Sequence, residues 1–461
     1  MISREVTSDS ISSEKVRAME QMKRRDFVQR ISMGAGAMAM SAQAARAAGV
    51  SGGLKPVSKN NPTANTSRLV RLHELQKPVA IAMWDFSWIL RHHLLGSFED
   101  WDLVLDQLVE RGYNAVRVDA MPQFVAADTD GTVQEEFFCA KDGWRPACWG
   151  NDVSVYIRPR DALLEFLPKC SERGIHVGLA SWFLSHGTPR KDIFQEEGGL
   201  LRAWIETLTF LDNHSLLDSV LYVDVLNEYP FWHGYQWLQN ELNERSDLNK
   251  FKEENPDAHI PDFDPSRPRE GMNPVQRELY NQFVTATLNE LKKKWGDLPF
   301  YVSLDSEMQL PNIDLSAFDG LDYHIWFVHN PSWSDTRYRD IHGLNNEQKF
   351  YEIYDDMMRF WRERRKEMIG WMEERITTIS QTAKQHGIPC GNTEGWGSII
   401  WIDHPALGWE WVKESGDICS ELALQHGYKF ICTSNFTHPQ FKGMWEDIAW
   451  HRRITDRIKK G

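Results

Sequence analysis

"VLYVDVLNEYPFW", residues 220–232, is an apolar strand-like run that ends in a charge: Asn227-Glu228 closes it, and aromatic residues follow. A carboxylate at the end of a buried strand costs free energy unless something pairs with it or uses it. The same pattern recurs far downstream in "IPCGNTEGWG", residues 388–397, where Glu394 stands between a threonine and a Gly-Trp pair. Two strands that end alike point to one site.

Working outward from these two, further short apolar runs alternate with longer helix-like segments. The strand candidates are "VAIAMW" (79–84), "NAVRVDA" (114–120), "IHVGLAS" (175–181), "VLYVDVL" (220–226), "PFYVSLD" (299–305), "GLDYHIW" (320–326), "IPCGNTE" (388–394) and "KFICTSN" (429–435). Between them lie "FEDWDLVLDQLVERG", "RDALLEFLPKCSERG", "RELYNQFVTATLNELKKKWG", "MIGWMEERITTISQTAKQHG" and "WVKESGDICSELALQHG", each ending in the glycine expected beyond a helix C-terminus. Eight strands with intervening helices predict a (β/α)8 TIM barrel over residues 79–461. A doubly wound open sheet is the alternative, and no Gly-rich phosphate-binding turn follows the first strand to favour it. Long segments at 121–160 and 229–272 follow strands two and four, so in a barrel they are insertions on the catalytic face, and a third, 327–370, follows strand six. The charged "RFWRERRKEM" near the end of the third reads as a solvated helix face.

Composition narrows the function. The chain of 461 residues carries 66 acidic against 52 basic side chains, which disfavours nucleic acid as a partner. No run of eighteen or more apolar residues predicts a membrane span. Twenty tryptophans, many beside polar residues, offer flat faces suited to sugar rings, although packing explains a tryptophan equally well. The N-terminus reads as a targeting segment: basic "MKRRDFVQR", apolar "ISMGAGAMAMSAQAA", then small-residue "ARAAG". Arg24-Arg25 before Asp26-Phe27 resembles a twin-arginine export signal spanning 1–47, with cleavage expected after Ala47 and a periplasmic or extracellular destination. Residues 48–78 read as a Gly-, Pro- and Ser-rich lead-in. The six cysteines show no zinc spacing, and export would permit a disulfide, with Cys139 and Cys148 the first pair to test.

If strands four and seven end at Glu228 and Glu394, both carboxylates rise at one rim of the barrel. Such a pair suits retaining glycoside hydrolysis, in which one protonated carboxyl serves the leaving oxygen and one ionised carboxylate attacks the anomeric carbon. "LNEYP" after the fourth strand and "TEGW" after the seventh resemble the retaining glycoside hydrolases of clan A, the cellulase-like barrels around family 5. The resemblance implies Glu228 as acid/base, Glu394 as nucleophile, Asn227 as partner of the sugar 2-hydroxyl, Arg117 as support for the nucleophile and His324 as the sixth-strand histidine. It implies no cofactor and no metal. The chain departs from the family where Trp326 replaces a tyrosine, where "GLASWF" lacks the third-strand histidine unless His186 reaches in, and where "TSNFTHPQF" lacks a platform tryptophan. Trp84, Trp396, Asp85 and Asn435 complete the expected substrate-binding or supporting set. Asp85 and Asp119 read as acceptors for substrate hydroxyls or as salt-bridge partners. His92-His93 with His324 and His329 match no known metal-ligand spacing. A non-catalytic carbohydrate-binding barrel and a transglycosylase are the alternatives that share these residues.

Overall fold

The computed structural model describes residues 69–141, 153–229, 235–244, 274–305, 310–336 and 347–461, with Glu253 and Met272. All fall within one compact unit, Asn65–Gly461. The export signal and most of the lead-in, residues 1–68, lie outside the described residues.

Every expected strand is present. In chain order they are β1 (Val79–Asp85), β2 (Ala115–Asp119), a hairpin β3 (Phe137–Cys139) and β4 (Val155–Ile157), then β5 (His176–Ala180), β6 (Val220–Asp224), β7 (Phe300–Tyr301), β8 (Leu304–Asp305), β9 (Leu321–His324), β10 (Cys390–Asn392) and β11 (Phe430–Cys432). The main sheet runs β7-β6-β5-β2-β1-β11-β10-β9-β8, parallel throughout. Its two ends are the two halves of one run, 300–305: β7 pairs with β6 through Val223↔Phe300, and β8 pairs with β9 through Leu304↔Tyr323. The sheet therefore closes on itself at eight strand positions, the (β/α)8 barrel expected from the sequence.

Amphipathic helices cover the barrel, among them Trp101–Glu110, Pro159–Glu172, Gly199–Asn213, Pro274–Lys294, Glu410–Gln425 and Ile448–Lys460. Asp100 caps the first of these by accepting the Leu103 N–H at 3.1 Å, which satisfies one of the donors a helix start leaves open. The helix expected from residue 368 begins earlier, at Glu347, and runs to His386. The charged "RFWRERRKEM" is part of it, with its arginines largely exposed and Trp361 and Met368 turned to the core.

Folded structure also begins before Val79. Arg71 is buried and donates to the Leu217 carbonyl at 2.6 Å and the Val220 carbonyl at 2.5 Å, so it ties the lead-in to the start of β6. Inside the barrel the rings of Tyr222, Tyr301 and Phe430 form one layer with centroids 5.0 to 6.2 Å apart. Gly178 and Gly391 make room for it. A Cβ on Gly178 would fall 2.2 Å from Tyr222 Cζ, and one on Gly391 would fall 2.3 Å from the Phe430 carbonyl oxygen.

The hairpin was not foreseen. It rises in the insertion after β2, buries Phe137, Cys139, Val155 and Ile157, and leaves Phe138 and Tyr156 exposed as a cross-strand ring pair 5.1 Å apart. Cys139 is a free thiol here, pushed up to about 12 by burial, and Cys148 lies outside the described residues.

Candidate active site

Alternation along each strand decides what reaches the barrel mouth. On β2, Arg117 points inward and is fully buried, and its guanidinium gathers the site. Nη1 donates to Glu394 Oε1 at 2.5 Å and lies 3.2 Å from Asp85 Oδ1. Nη2 lies 3.2 Å from Asp224 Oδ2 and also donates to Asn227 Oδ1. Burial disfavours the cation, but Asp85, Glu394 and Asp224 outweigh it and hold Arg117 firmly charged.

Glu228 leaves β6 in a left-handed conformation, with φ of 46°. A non-glycine residue adopts that conformation only where its surroundings over-determine it. Here the Glu228 N–H donates to Ser303 Oγ at 3.1 Å, and the preceding Asn227 N–H donates to the Ser181 carbonyl at 2.8 Å. The break between β7 and β8 is what presents Ser303 to this turn. The same serine donates to Asn227 Oδ1 at 3.2 Å, while its own N–H goes to Asp224 Oδ1 at 2.8 Å. Asn227 Nδ2 is buried and has no hydrogen-bond partner among the described residues.

His324, fully buried on β9, joins the two glutamates. Nδ1 lies 2.7 Å from Glu228 Oε1 and 3.8 Å from Glu394 Oε1. Nε2 lies 3.1 Å from Thr393 Oγ1, whose hydroxyl donates to Asp322 Oδ2 at 2.6 Å. Burial alone would favour the neutral ring, yet the Glu394 and Asp322 carboxylates and the bonds to Asp322 and Glu228 raise its pKa well above the usual histidine value. Both ring nitrogens therefore donate.

Glu228, His324 and Glu394 offer atoms that lie within 4.8 Å of one another, among the described residues the one grouping compact enough to hold a metal ion. A protonated His324 has no lone pair to ligate with, and Arg117 already occupies a Glu394 oxygen, so the donor set fits a proton-transfer site better than a metal centre. Burial pushes the Glu394 carboxyl up to about 8; the Glu228 charge adds to this, while His324 and Arg117 pull the other way. Burial also raises Asp224 to about 6 and Asp119 to about 7. The mouth is thus a ring of buried acids around two cations.

The expected site residues divide by orientation. Arg117, Asn227, Glu228, His324, Glu394 and Asp85 converge. Trp84, next to Asp85 on β1, faces the other way: it is fully buried, donates its indole N–H to the Thr437 carbonyl at 2.9 Å, and packs on Phe98 and Phe166. It is a packing residue between sheet and helices, with no face open to a ligand. Trp396 is buried and donates to the Cys432 carbonyl at 2.7 Å. Trp326 is buried with its ring 6.4 Å from that of His329, and no hydrogen bond joins it to Glu394 among the described residues. Asn435 acts at one remove, accepting the Gly395 N–H at 2.8 Å and so fixing the chain after Glu394. His186 packs against Phe86 and Phe124, and burial lowers it to about 4. It forms no ion pair with either glutamate. Asp119 accepts the N–H groups of Met121 at 2.7 Å and Trp182 at 3.0 Å, bracing two loops of the rim.

Sequence reading missed Asp224, Asp322, Ser303 and Trp182. The two aspartates had a signal, since Asp322 stands two residues before His324, and Asp224 interrupts an apolar strand. Trp182, half-buried after β5, donates its indole N–H to Asp85 Oδ2 at 2.8 Å, at the place where the family resemblance led one to look for a histidine.

Comparison with known proteins identifies the family of the chain. Residues 81–459 match the model of a family described as sugar-binding cellulase-like. No curated protein matches the sequence. Among solved structures, a candidate glycoside hydrolase from Parabacteroides distasonis ATCC 8503 is 28% identical, with a TM-score of 0.66 over 84% of this chain and 94% of that one. The cellulose synthase subunit Z of Clostridioides difficile is 10% identical, with a TM-score of 0.46 over 82% of this chain and 99% of that one. A glycoside hydrolase family 5 mannosidase from Rhizomucor miehei is 11% identical, with a TM-score of 0.44 over 86% and 99%. Likeness at the level of these last two carries no statement about substrate.

Proposed function

This chain belongs to the cellulase-like family of sugar-binding proteins, and we propose on that footing that it is a retaining glycosidase acting on an oligo- or polysaccharide. One observation carries the reading: Glu228 and Glu394 bring carboxylate oxygens within 4.8 Å of each other at the catalytic mouth of a (β/α)8 barrel. Retaining enzymes hold their carboxyls roughly 5–5.5 Å apart, whereas inverting enzymes need about 6.5–9.5 Å to admit a water between acid and base. The Parabacteroides protein similar to this chain bears a glycoside hydrolase description of its own.

In this mechanism Glu394 attacks the anomeric carbon, and the glycosidic bond breaks as Glu228 delivers its proton to the leaving oxygen. Water then gives a proton to Glu228, attacks the same carbon and releases Glu394, so the anomeric configuration is retained. The residues around each glutamate support the assignment. Arg117, a permanent cation bonded to Glu394, and the charged His324 pull that carboxyl back toward the ionised form a nucleophile requires, against the burial that raises it. The unpartnered Asn227 Nδ2 is a donor suited to the sugar 2-hydroxyl. Export by the twin-arginine route belongs to the same reading, since polysaccharide substrates lie outside the cytoplasm.

The test uses aryl glycosides whose leaving group needs no proton. Glu228→Ala should still form the glycosyl-enzyme, and azide should rescue it to a product of retained configuration. Glu394→Ala should yield the inverted glycosyl azide, because azide enters the space the nucleophile vacated. Swapped products would reverse the roles, and rescue of neither variant on a substrate that wild type cleaves would remove the pair from catalysis.

A further inference from the structure

His324 is held from both sides, and only one side belongs to the glutamate pair. Its Nδ1 edge faces Glu228 at 2.7 Å and Glu394 at 3.8 Å. The Nε2 edge faces Thr393 Oγ1 at 3.1 Å and Asp322 Oδ1 at 3.5 Å. Asp322 in turn accepts both the Thr393 hydroxyl, at 2.6 Å, and the Thr393 N–H, at 3.0 Å, and Tyr301 donates to it at 3.3 Å. All of these side chains are buried. Asp322 therefore turns its acceptor capacity on Thr393, whose hydroxyl touches the imidazole, and it is itself fully buried.

We propose that Asp322, acting through Thr393, is a positioning residue that anchors the Nε2–H edge of the His324 ring away from the glutamates, so that Nδ1–H stays between them and, by a small pivot about that edge, one charged donor serves each carboxylate in turn. This deepens the retaining reading without depending on which sugar is cleaved. When Glu228 is the carboxylate, Nδ1–H donates to it at the observed 2.7 Å. When Glu228 carries its proton for the leaving oxygen, a small turn of the ring redirects Nδ1–H toward Glu394, 3.8 Å away, and stabilises the nucleophile. A neutral ring could not do this and also satisfy Thr393. With a single N–H it would leave one edge as an acceptor against carboxylate or hydroxyl oxygens. The other charged and titratable groups around the ring are Asp85, which it feels electrostatically, Arg117 beyond Glu394, and Asp305, its register partner on β8.

The charge of Asp322 raises the proton affinity of His324, as do Glu394 and the bond to Glu228. Removing one negative charge at this distance lowers such a pKa by about one to three units. The experiment labels histidine with 15N and follows the ring nitrogens of His324 by long-range proton–nitrogen correlation, with the signals assigned by their loss in His324→Gln. Wild type should remain doubly protonated at pH 7, with Nε2–H protected from exchange. Asp322→Asn should lower the titration midpoint by about one unit or more. Thr393→Val keeps the aspartate charge but removes the hydroxyl link, and it should leave the ring charged with an exchanging Nε2–H. This second variant keeps the test alive if Asp322→Asn does not fold.

On an aryl glycoside that wild type cleaves, Asp322→Asn should move the alkaline limb of kcat/KM toward acid by the same interval as the midpoint, whereas a merely structural role would lower the rate equally at every pH. A His324 that is neutral at pH 7 in wild type, or a midpoint unmoved in Asp322→Asn, overturns the proposal. The spectra need no substrate, so they stand even if no glycoside is found, and absence of activity would count against the retaining reading alone.

Discussion

Replacing Arg117 by methionine removes the one permanent cation shared by Asp85, Asp224 and Glu394 while leaving apolar volume in its place. Breaking a buried ion pair from one side costs about 3–5 kcal/mol, because the remaining charge is left without compensation. That cost should depend on pH, and the wild-type values fix the direction. Asp224 and Glu394 are raised by burial to about 6 and about 8, above their values in an unfolded chain. Groups raised in this way contribute stability that is fully present below the unfolded pKa, near 4, and is lost as pH climbs through 6 and then 8. Removing Arg117 raises both further, so the variant loses more than wild type over the same climb. At pH 5 both carboxyls are already protonated in the wild-type fold, and what the substitution costs there is mainly the packing of a guanidinium. By pH 8 the penalty on Asp224 applies, while Glu394, raised above 8 in the variant, adds little within this range. A displacement of one to two units, at about 1.4 kcal/mol per unit, predicts a gap of about 1.4–2.8 kcal/mol between the two pH values. Urea denaturation of wild type and Arg117→Met, followed by tryptophan fluorescence at pH 5 and pH 8, measures it. An equal cost at both values, or a larger one at pH 5, would show that Arg117 is held for its shape and not for its charge.

The barrel interior supplies a second prediction. Gly178→Ala meets the movable Tyr222 ring and should destabilise by about 1–3 kcal/mol, while Gly391→Ala meets the Phe430 main-chain oxygen and should cost more, as chemical denaturation of the two variants would show; the reverse order would mean that the strands, not the rings, give way. Export supplies a third. Lysine does not reproduce the guanidinium fork, so Arg24→Lys with Arg25→Lys should leave uncleaved precursor in the cytoplasm, and normal processing of that double variant in a fractionation experiment would assign the signal to another route.

The residues that carry the site were legible for one reason: each breaks an apolar strand-like run, where a polar side chain has to be explained. Asn227, Glu228, His324 and Glu394 do so at a strand end and Arg117 in mid-strand, and the structure brings all of them to one mouth. Trp84 and Asp85 show the limit of that rule. They are adjacent in sequence, and strand alternation sends the aspartate to Arg117 and the tryptophan to Phe98, so neighbours on one strand cannot both face the cleft. Finding Asp224 and Asp322 needed more than alternation. An aspartate inside a strand is tolerable only when a cation from another strand arrives at the same height, and register between strands separated by a hundred residues is not written in either one. Val302-Ser303 makes the same point from the other side. As sequence, 299–305 is a single strand; in the barrel it parts in the middle so that Ser303 can turn toward Asn227 and Glu228. The irregularity follows from the site it serves: a strand that stayed paired throughout would direct Ser303 elsewhere and leave the Glu228 turn, at φ 46°, without the hydroxyl that receives its N–H.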